Sequence, residues 1–191
     1  MAEPRRVRDP ALIDALDRLP RSLFSGKVWR IVREGRDPLQ CSASGGRWDD
    51  GSFDVLYTSL ERQGALNEMQ FHLARGQPVF PTKLRFHLFE IQVDLKEVLN
   101  FPALFDLEHL GIQSGLYGQA LYEERRSEYP RTQDIAEAAH FLGCDGILVP
   151  SARYACQNAV LFCANLGRDA VSVVADHGLI DWKAVMASGR A

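Results

Sequence analysis

Residues 54–74, DVLYTSLERQGALNEMQFHLA, change period partway through. Asp54 to Ser59 is a short run of apolar, β-branched and aromatic residues that suits a buried strand. From Leu60 to Ala74, Leu66, Met69 and Leu73 recur at helical spacing. A buried strand running straight into a helix places the chain among folds that mix both element types.

The flanking sequence repeats the mixture. Asp9-Pro10 ahead of ALIDALDRL reads as a helix start, with an N-cap carboxylate, proline at the first helical position and a stripe of Leu12, Ile13, Leu16 and Leu19. Val28 to Val32 suggests a strand in which Arg30 points away from Trp29 and Ile31. Glu34 to Gly51 is polar and rich in Gly, Ser and Asp, which reads as a long loop. Lys83 to Val93 alternates as a strand but changes phase after Leu88, predicting a bulge or burial on both faces. Residues 94–100 and about 118–127 are expected to be helical, and Thr132 to cap a helix that runs through Leu142 to Gly143. Three further strands are expected at Gly146 to Ser151, Asn158 to Leu166 and Asp169 to Ala175. There is no repeat and no linker, so the expectation is one α+β domain, with residues 1–26 as a helical extension packed on a body from 27 to 191.

Composition agrees with such a domain. The 191 residues are 46% hydrophobic and 25% charged, and the mean hydropathy is −0.17, so disorder and rod-like architectures are disfavoured. The net charge of −3 offers no general attraction for nucleic acid or an anionic membrane. Charge is nevertheless uneven: residues 1–36 carry +4, residues 37–191 carry −7. A solvated basic face is the ordinary explanation, and an anion site is the sharper one. No apolar stretch reaches membrane-spanning length, nor does the first segment look like a secretion signal, which predicts a cytoplasmic protein. Cys41, Cys144, Cys156 and Cys163 form no CxxC pair and are expected to be small core residues, neither disulfide-linked nor metal-bound. The histidines form no ligand cluster, and no metal is expected.

Five polar residues stand in apolar settings: Arg30 in KVWRIV, Arg47 in GGRWDD, Tyr57 in VLYTS, Glu68 in ALNEMQ and Ser151 in ILVPSAR. Each has an ordinary alternative: an edge arginine, a solvated loop arginine, a core tyrosine, a rim glutamate and a turn serine. The sharper reading of Arg30 is a planar fork for paired phosphate oxygens, and of Glu68 a carboxylate that stabilises developing positive charge. No GxGxxG follows a strand, no P-loop occurs and no GxSxG surrounds Ser151, so a nucleotide has to be held another way.

Taken in order, GRWDD, VLYTS, ALNEMQFHL, FLGCDGILVPSAR and NAVLF make the chain resemble the RES-domain family, named for an arginine, a glutamate and a serine. The resemblance runs from about Lys27 to Leu166. It implies a fold similar to ADP-ribosyltransferases, with a mixed sheet flanked by helices. It also implies a toxin of a toxin–antitoxin pair that uses NAD as its substrate, together with an Xre- or ParS-like antitoxin as partner. By the same resemblance Arg30 would bind the NAD diphosphate, Arg47 would be a second anion contact, and Tyr57 would stack on the nicotinamide or its ribose. Glu68 would act at the nicotinamide ribose, and Ser151 would position the nicotinamide end. The acceptor of ADP-ribose, whether water, phosphate or a protein side chain, stays open. So does a non-catalytic binding module that docks a partner on its basic face. Two departures from the family pattern bear on the acceptor. Asp49 and Asp50 after GRW are expected to put two carboxylates near an anion site, which disfavours phosphate. GALN at 64–67 hints at room for a larger, protein acceptor.

Overall fold

The computed structural model describes residues 8–74, 84–118 and 125–188. The elements are α1 (Pro10–Asp17), β1 (Ser22–Arg33), β2 (Val55–Ser59), α2 (Arg62–Ala74), β3 (Phe86–Asn100), α3 (Leu104–Glu108), a 3-10 turn (Ser114–Leu116), α4 (Arg125–Phe141), β4 (Gly146–Pro150), β5 (Gln157–Phe162), β6 (Val171–Leu179) and α5 (Trp182–Ser188).

All six strands belong to one mixed sheet in the order β1-β2-β5-β4-β3-β6, and β1 also pairs with β3. That second pairing curls β1, β2, β5, β4 and β3 into a ring and leaves β6 outside, against β3. The β3–β4 pairing is parallel and the others are antiparallel. The ring is uneven. β1 is laddered to β3 from Ser22 to Arg33, whereas it meets β2 only at Trp29↔Ser59. The seam between β1 and β2 is therefore where the sheet can open.

Inside the ring lie Val28, Leu56, Ile91, Val93, Leu148, Ala159 and Leu161. A second cluster, with Leu12, Leu16, Ile135, Ile147, Val160 and Phe162, is covered by α1 and α4. The central strands are thus buried on both faces: Val160 and Phe162 point one way along β5, Ala159 and Leu161 the other. This accounts for the unbroken apolar run of that strand. A third cluster joins Ile31, Ala65, Leu66, Leu88 and Trp182 beneath α2 and α5.

Several elements differ from expectation. Residues 94–100 continue β3 instead of forming a helix. Leu95, Val98 and Leu99 sit at i, i+3 and i+4, which mimics helical spacing. The register shift against β1, where Phe24↔Leu95 is followed by Ser22↔Val98, adds an extra β3 residue and returns Leu95 and Val98 to the same side. The phase change after Leu88 is burial on two faces, since Phe86 and Leu88 join the third cluster and Ile91 and Val93 the ring interior. The accompanying register shifts lie in the β3–β6 pairing. Thr132 is not a cap. It lies within α4, while Gly143 closes that helix region with φ 79°. Part of the helix expected at about 118–127 falls on 119–124, outside the described residues.

The cysteines require a further correction. Cys41 and Cys163 are joined by a disulfide across 122 residues of sequence, a pairing that no local spacing encodes. Cys144 and Cys156 are free, and Cys144 is buried in the core. No helix of the described residues is long and apolar enough to cross a membrane.

Candidate active site

The β1–β2 seam opens into a cleft of about 390 Å³. Trp29, Arg30 and Ile31 of β1 and Tyr57, Thr58 and Ser59 of β2 form two of its sides, and Glu68 of α2, Arg47 and Asn158 also line it.

The 34–54 loop is shaped from inside by Asp49. Its side chain is fully buried and accepts from Gly45 N at 2.6 Å, Gly46 N at 2.7 Å and the Tyr57 hydroxyl at 2.9 Å. Asp50 is exposed and accepts from the hydroxyl of Ser52 at 2.6 Å. Of the two carboxylates expected near an anion site, Asp49 stands behind the cleft wall, bonded to Gly46 and Tyr57 that line it, and staples the loop, whereas Asp50 faces solvent and is corrected. From α4, Thr132 donates to Arg47 O at 2.6 Å and Gln133 donates to Gly46 O at 2.8 Å. Buried Trp48 anchors the loop in the core. Gly46 is required by close approach, since a Cβ there would stand 2.5 Å from Tyr57 Oη.

Arg30 reaches out of the β1 ladder. Its Nη2 donates to Gln40 O at 3.0 Å, and its Nη1 is buried with no partner among the described residues. Burial pulls the guanidinium down to about 10, partly offset by Asp37, which still leaves it charged at neutral pH. A buried charged donor without an acceptor is costly, and a bound anion relieves that cost.

Glu68 is held from one side. Its Oε1 accepts from Ser151 Oγ at 2.7 Å, Asn158 Nδ2 at 3.0 Å and Ala152 N at 3.3 Å. Three donors on one oxygen fix the carboxylate plane. The other oxygen has no hydrogen-bond partner among the described residues. α2 comes close enough to do this because of Gly64, where a Cβ would stand 2.5 Å from Cys156 Sγ. The space beside Gly64 is already taken by Ser59 and Cys156, so the expected extra room for a larger acceptor is not found at that position.

Tyr57 presents its ring to the cleft, but its hydroxyl is committed, donating to Asp49 and accepting from Trp48 N at 3.0 Å. Burial, with the adjacent Asp49 carboxylate, pushes this phenol well above its ordinary range. Arg47 lies over the rings of Tyr117 at 4.6 Å and Tyr129 at 5.2 Å, an aromatic cradle for a guanidinium. Ser151 does not line this cleft. It touches the site through Glu68 and lines a second depression with Leu60, Cys156 and Gln157.

The structure thus brings Arg30, Arg47, Tyr57 and Glu68 to one cleft and sets Ser151 behind Glu68. Sequence reasoning singled out neither Asn158 nor the structural task of Asp49. The signal for Asn158 was a polar side chain heading the apolar run AVLF, the same kind of intrusion that marked Arg30.

Comparison with known proteins adds to this geometry. A family model described as the RES domain matches residues 27–183. The fold is similar to a chain in the crystal structure of the M. tuberculosis MbcT-MbcA toxin-antitoxin complex, with a TM-score of 0.78 and 19% sequence identity over 96% of this chain and 99% of that one. No curated protein matches the sequence.

Proposed function

The chain belongs to the RES domain family, and from that premise we propose that it is the toxin of a toxin–antitoxin pair, which binds NAD in the β1–β2 cleft and breaks its nicotinamide–ribose bond. The observation that carries this reading is that one cleft is lined both by Arg30, whose Nη1 is buried with no partner among the described residues, and by Glu68, whose carboxylate is pinned through a single oxygen. An anion and a developing cation are the two charges that such an arrangement serves.

In this reading Arg30, with Arg47 as a second cation, takes the diphosphate, and the Tyr57 ring forms a wall against the nicotinamide or its ribose. The C–N bond breaks heterolytically. Nicotinamide departs with the electron pair as a neutral molecule, and positive charge builds on the ribose carbon and its ring oxygen. Glu68 stabilises that charge from a carboxylate whose orientation is set before the reaction. Water adding at the ribose carbon and losing a proton completes hydrolysis to ADP-ribose; inorganic phosphate or a protein side chain in place of water gives a phosphorylase or a mono-ADP-ribosyltransferase. No metal is required, because the leaving group is already cationic before it departs.

The proposed partner is a cognate Xre- or ParS-like antitoxin that covers the cleft; a chain of similar fold is solved within a toxin–antitoxin complex. Purified protein is incubated with NAD alone, with phosphate and with cell lysate, and free nicotinamide is followed. Release is expected, and the co-product names the acceptor: ADP-ribose, its phosphate ester or a modified protein. Absence of nicotinamide in every condition overturns the reading.

A further inference from the structure

Asn158 carries a polar group that the mechanism above leaves unused. It stands near the start of β5, opposite Ser59 of β2 and Val149 of β4, and lines the cleft. Its Nδ2 donates to Glu68 Oε1 at 3.0 Å. A carboxylate oxygen only accepts, so the amide must turn its nitrogen toward Glu68; the flipped amide would set oxygen against oxygen. The direction of Oδ1 follows from that choice. It is buried and has no partner among the described residues.

A buried carbonyl oxygen without a donor is a standing cost, removed when a ligand supplies the hydrogen. Two residues that line the same cleft thus each hold a buried atom with no partner among the described residues, and the two atoms have opposite polarity: Arg30 Nη1 is a donor and Asn158 Oδ1 an acceptor. A diphosphate offers only acceptors at neutral pH, so it can satisfy the arginine but not the asparagine. What Asn158 needs is an N–H or O–H, and because the same side chain holds Glu68, that donor must belong to the half of the substrate on which Glu68 acts.

We propose that Asn158 contacts the substrate directly, its Oδ1 accepting a hydrogen bond from the nicotinamide riboside half, either from the carboxamide N–H or from a ribose hydroxyl, while its Nδ2 orients Glu68. This rests on the NAD reading of the cleft. It makes Asn158 a residue that selects among substrates, in contrast to Ser151, which holds the same Glu68 oxygen but does not line the cleft.

That contrast supplies the test. Nicotinamide or nicotinic acid release is measured for wild type, Asn158→Ala and Ser151→Ala with four substrates: NAD, nicotinic acid adenine dinucleotide, and NAD lacking the 2′- or the 3′-hydroxyl of the nicotinamide ribose. Comparing proteins on the same substrate cancels the intrinsic reactivity of each analogue. Folding of each variant is checked by its thermal transition, and Asn158→Ser serves where the alanine variant does not fold. Wild type is expected to disfavour one analogue by about tenfold to a hundredfold in kcat/KM, and the Asn158 variant to lose most of that preference. Ser151→Ala is expected to slow all four substrates alike and keep the wild-type preference. Loss of preference on the nicotinic acid substrate assigns the carboxamide, and on a deoxy substrate the corresponding hydroxyl. If Asn158 and Ser151 variants slow all four substrates equally, Asn158 only orients Glu68 and the assignment is overturned. If wild type neither turns over NAD nor binds it in a calorimeter, the NAD reading fails and this assignment falls with it.

Discussion

Arg30 and Glu68 show how two charged side chains in one cleft come to hold different tasks. Arg30 has one nitrogen tied to Gln40 O and another buried without an acceptor among the described residues, so it gains a partner whenever an anion is bound, in the ground state and the transition state alike. Glu68 has one oxygen saturated by three donors, and the ribose charge it answers develops only as the C–N bond breaks and the charge leaves the nicotinamide ring. Arg30→Ala is therefore expected to raise KM for NAD by about 10- to 100-fold with a smaller change in kcat. Glu68→Gln, which keeps the oxygen that the three donors bind, is expected to leave NAD binding in place and lower kcat by about 10²- to 10³-fold. Equal loss of NAD binding in both variants, read by calorimetry, would contradict this division. Ser151→Ala is expected to cost on the order of 1–3 kcal/mol in activation free energy, the scale of one buried hydrogen bond left unmade.

At the scale of elements, the cleft depends on a loop and a helix fastened to each other. Thr132 and Gln133 of α4 hold the carbonyls of Arg47 and Gly46, while Asp49 gathers the amides of Gly45 and Gly46 and the Tyr57 hydroxyl. The loop's path is thus set by hydrogen bonds to its own backbone, which keeps a polar segment ordered beside the core. Gly46→Ala is expected to destabilise the fold by about 1–3 kcal/mol and to weaken NAD binding, because the added methyl meets the Tyr57 hydroxyl and Asp49. The neighbouring Gly45→Ala supplies the comparison: its Cβ would meet open space, and the cost there is the positive φ of 75° alone, about 1 kcal/mol. Thermal transitions of both variants check the ordering, and a Gly46 variant as stable and as tightly binding as wild type would show that the loop tolerates displacement.

For the whole molecule, the ring of strands is weakest at its β1–β2 seam, and the Cys41–Cys163 disulfide lies beside the start of β2, where Cys163 N donates to Asp54 O. The bond ties the loop that leaves β1 to the turn that follows β5, and Gln40, the residue bonded to Arg30, is adjacent to it. In non-reducing buffer a thiol titration of the unfolded protein is expected to find the two thiols of Cys144 and Cys156. Reduction, or Cys41→Ser, is expected to lower stability by roughly 2–5 kcal/mol, or about 5–15 °C in Tm. Four titratable thiols, or a transition indifferent to reductant in the wild type, would contradict the pairing. The uneven charge also looks different in three dimensions: of the basic residues in the first 36, Arg30 lies in the cleft, whereas Arg8 and Lys27 are paired at the surface with Glu137 and Glu90.

The sequence by itself determined the mixed class of the fold, the order of most strands, the helix carrying Glu68 and the polar residues that intrude on apolar surroundings. These are legible because periodicity, capping and turn chemistry act over a few neighbours. It misread residues 94–100 as a helix, since a bulge and two buried faces imitate helical spacing. It also placed Thr132 at a helix start, although its hydroxyl serves a loop 85 positions away. Tertiary structure alone decided that Cys41 meets Cys163, that Asp49 turns inward, that Ser151 stands behind Glu68, and that Asn158 and Arg30, which line one cleft, each bury a polar atom of opposite polarity with no partner among the described residues. Each of these depends on which distant segments share the little space beside a buried group, and a buried polar atom is satisfied or left wanting by whatever the fold brings within about 3 Å of it.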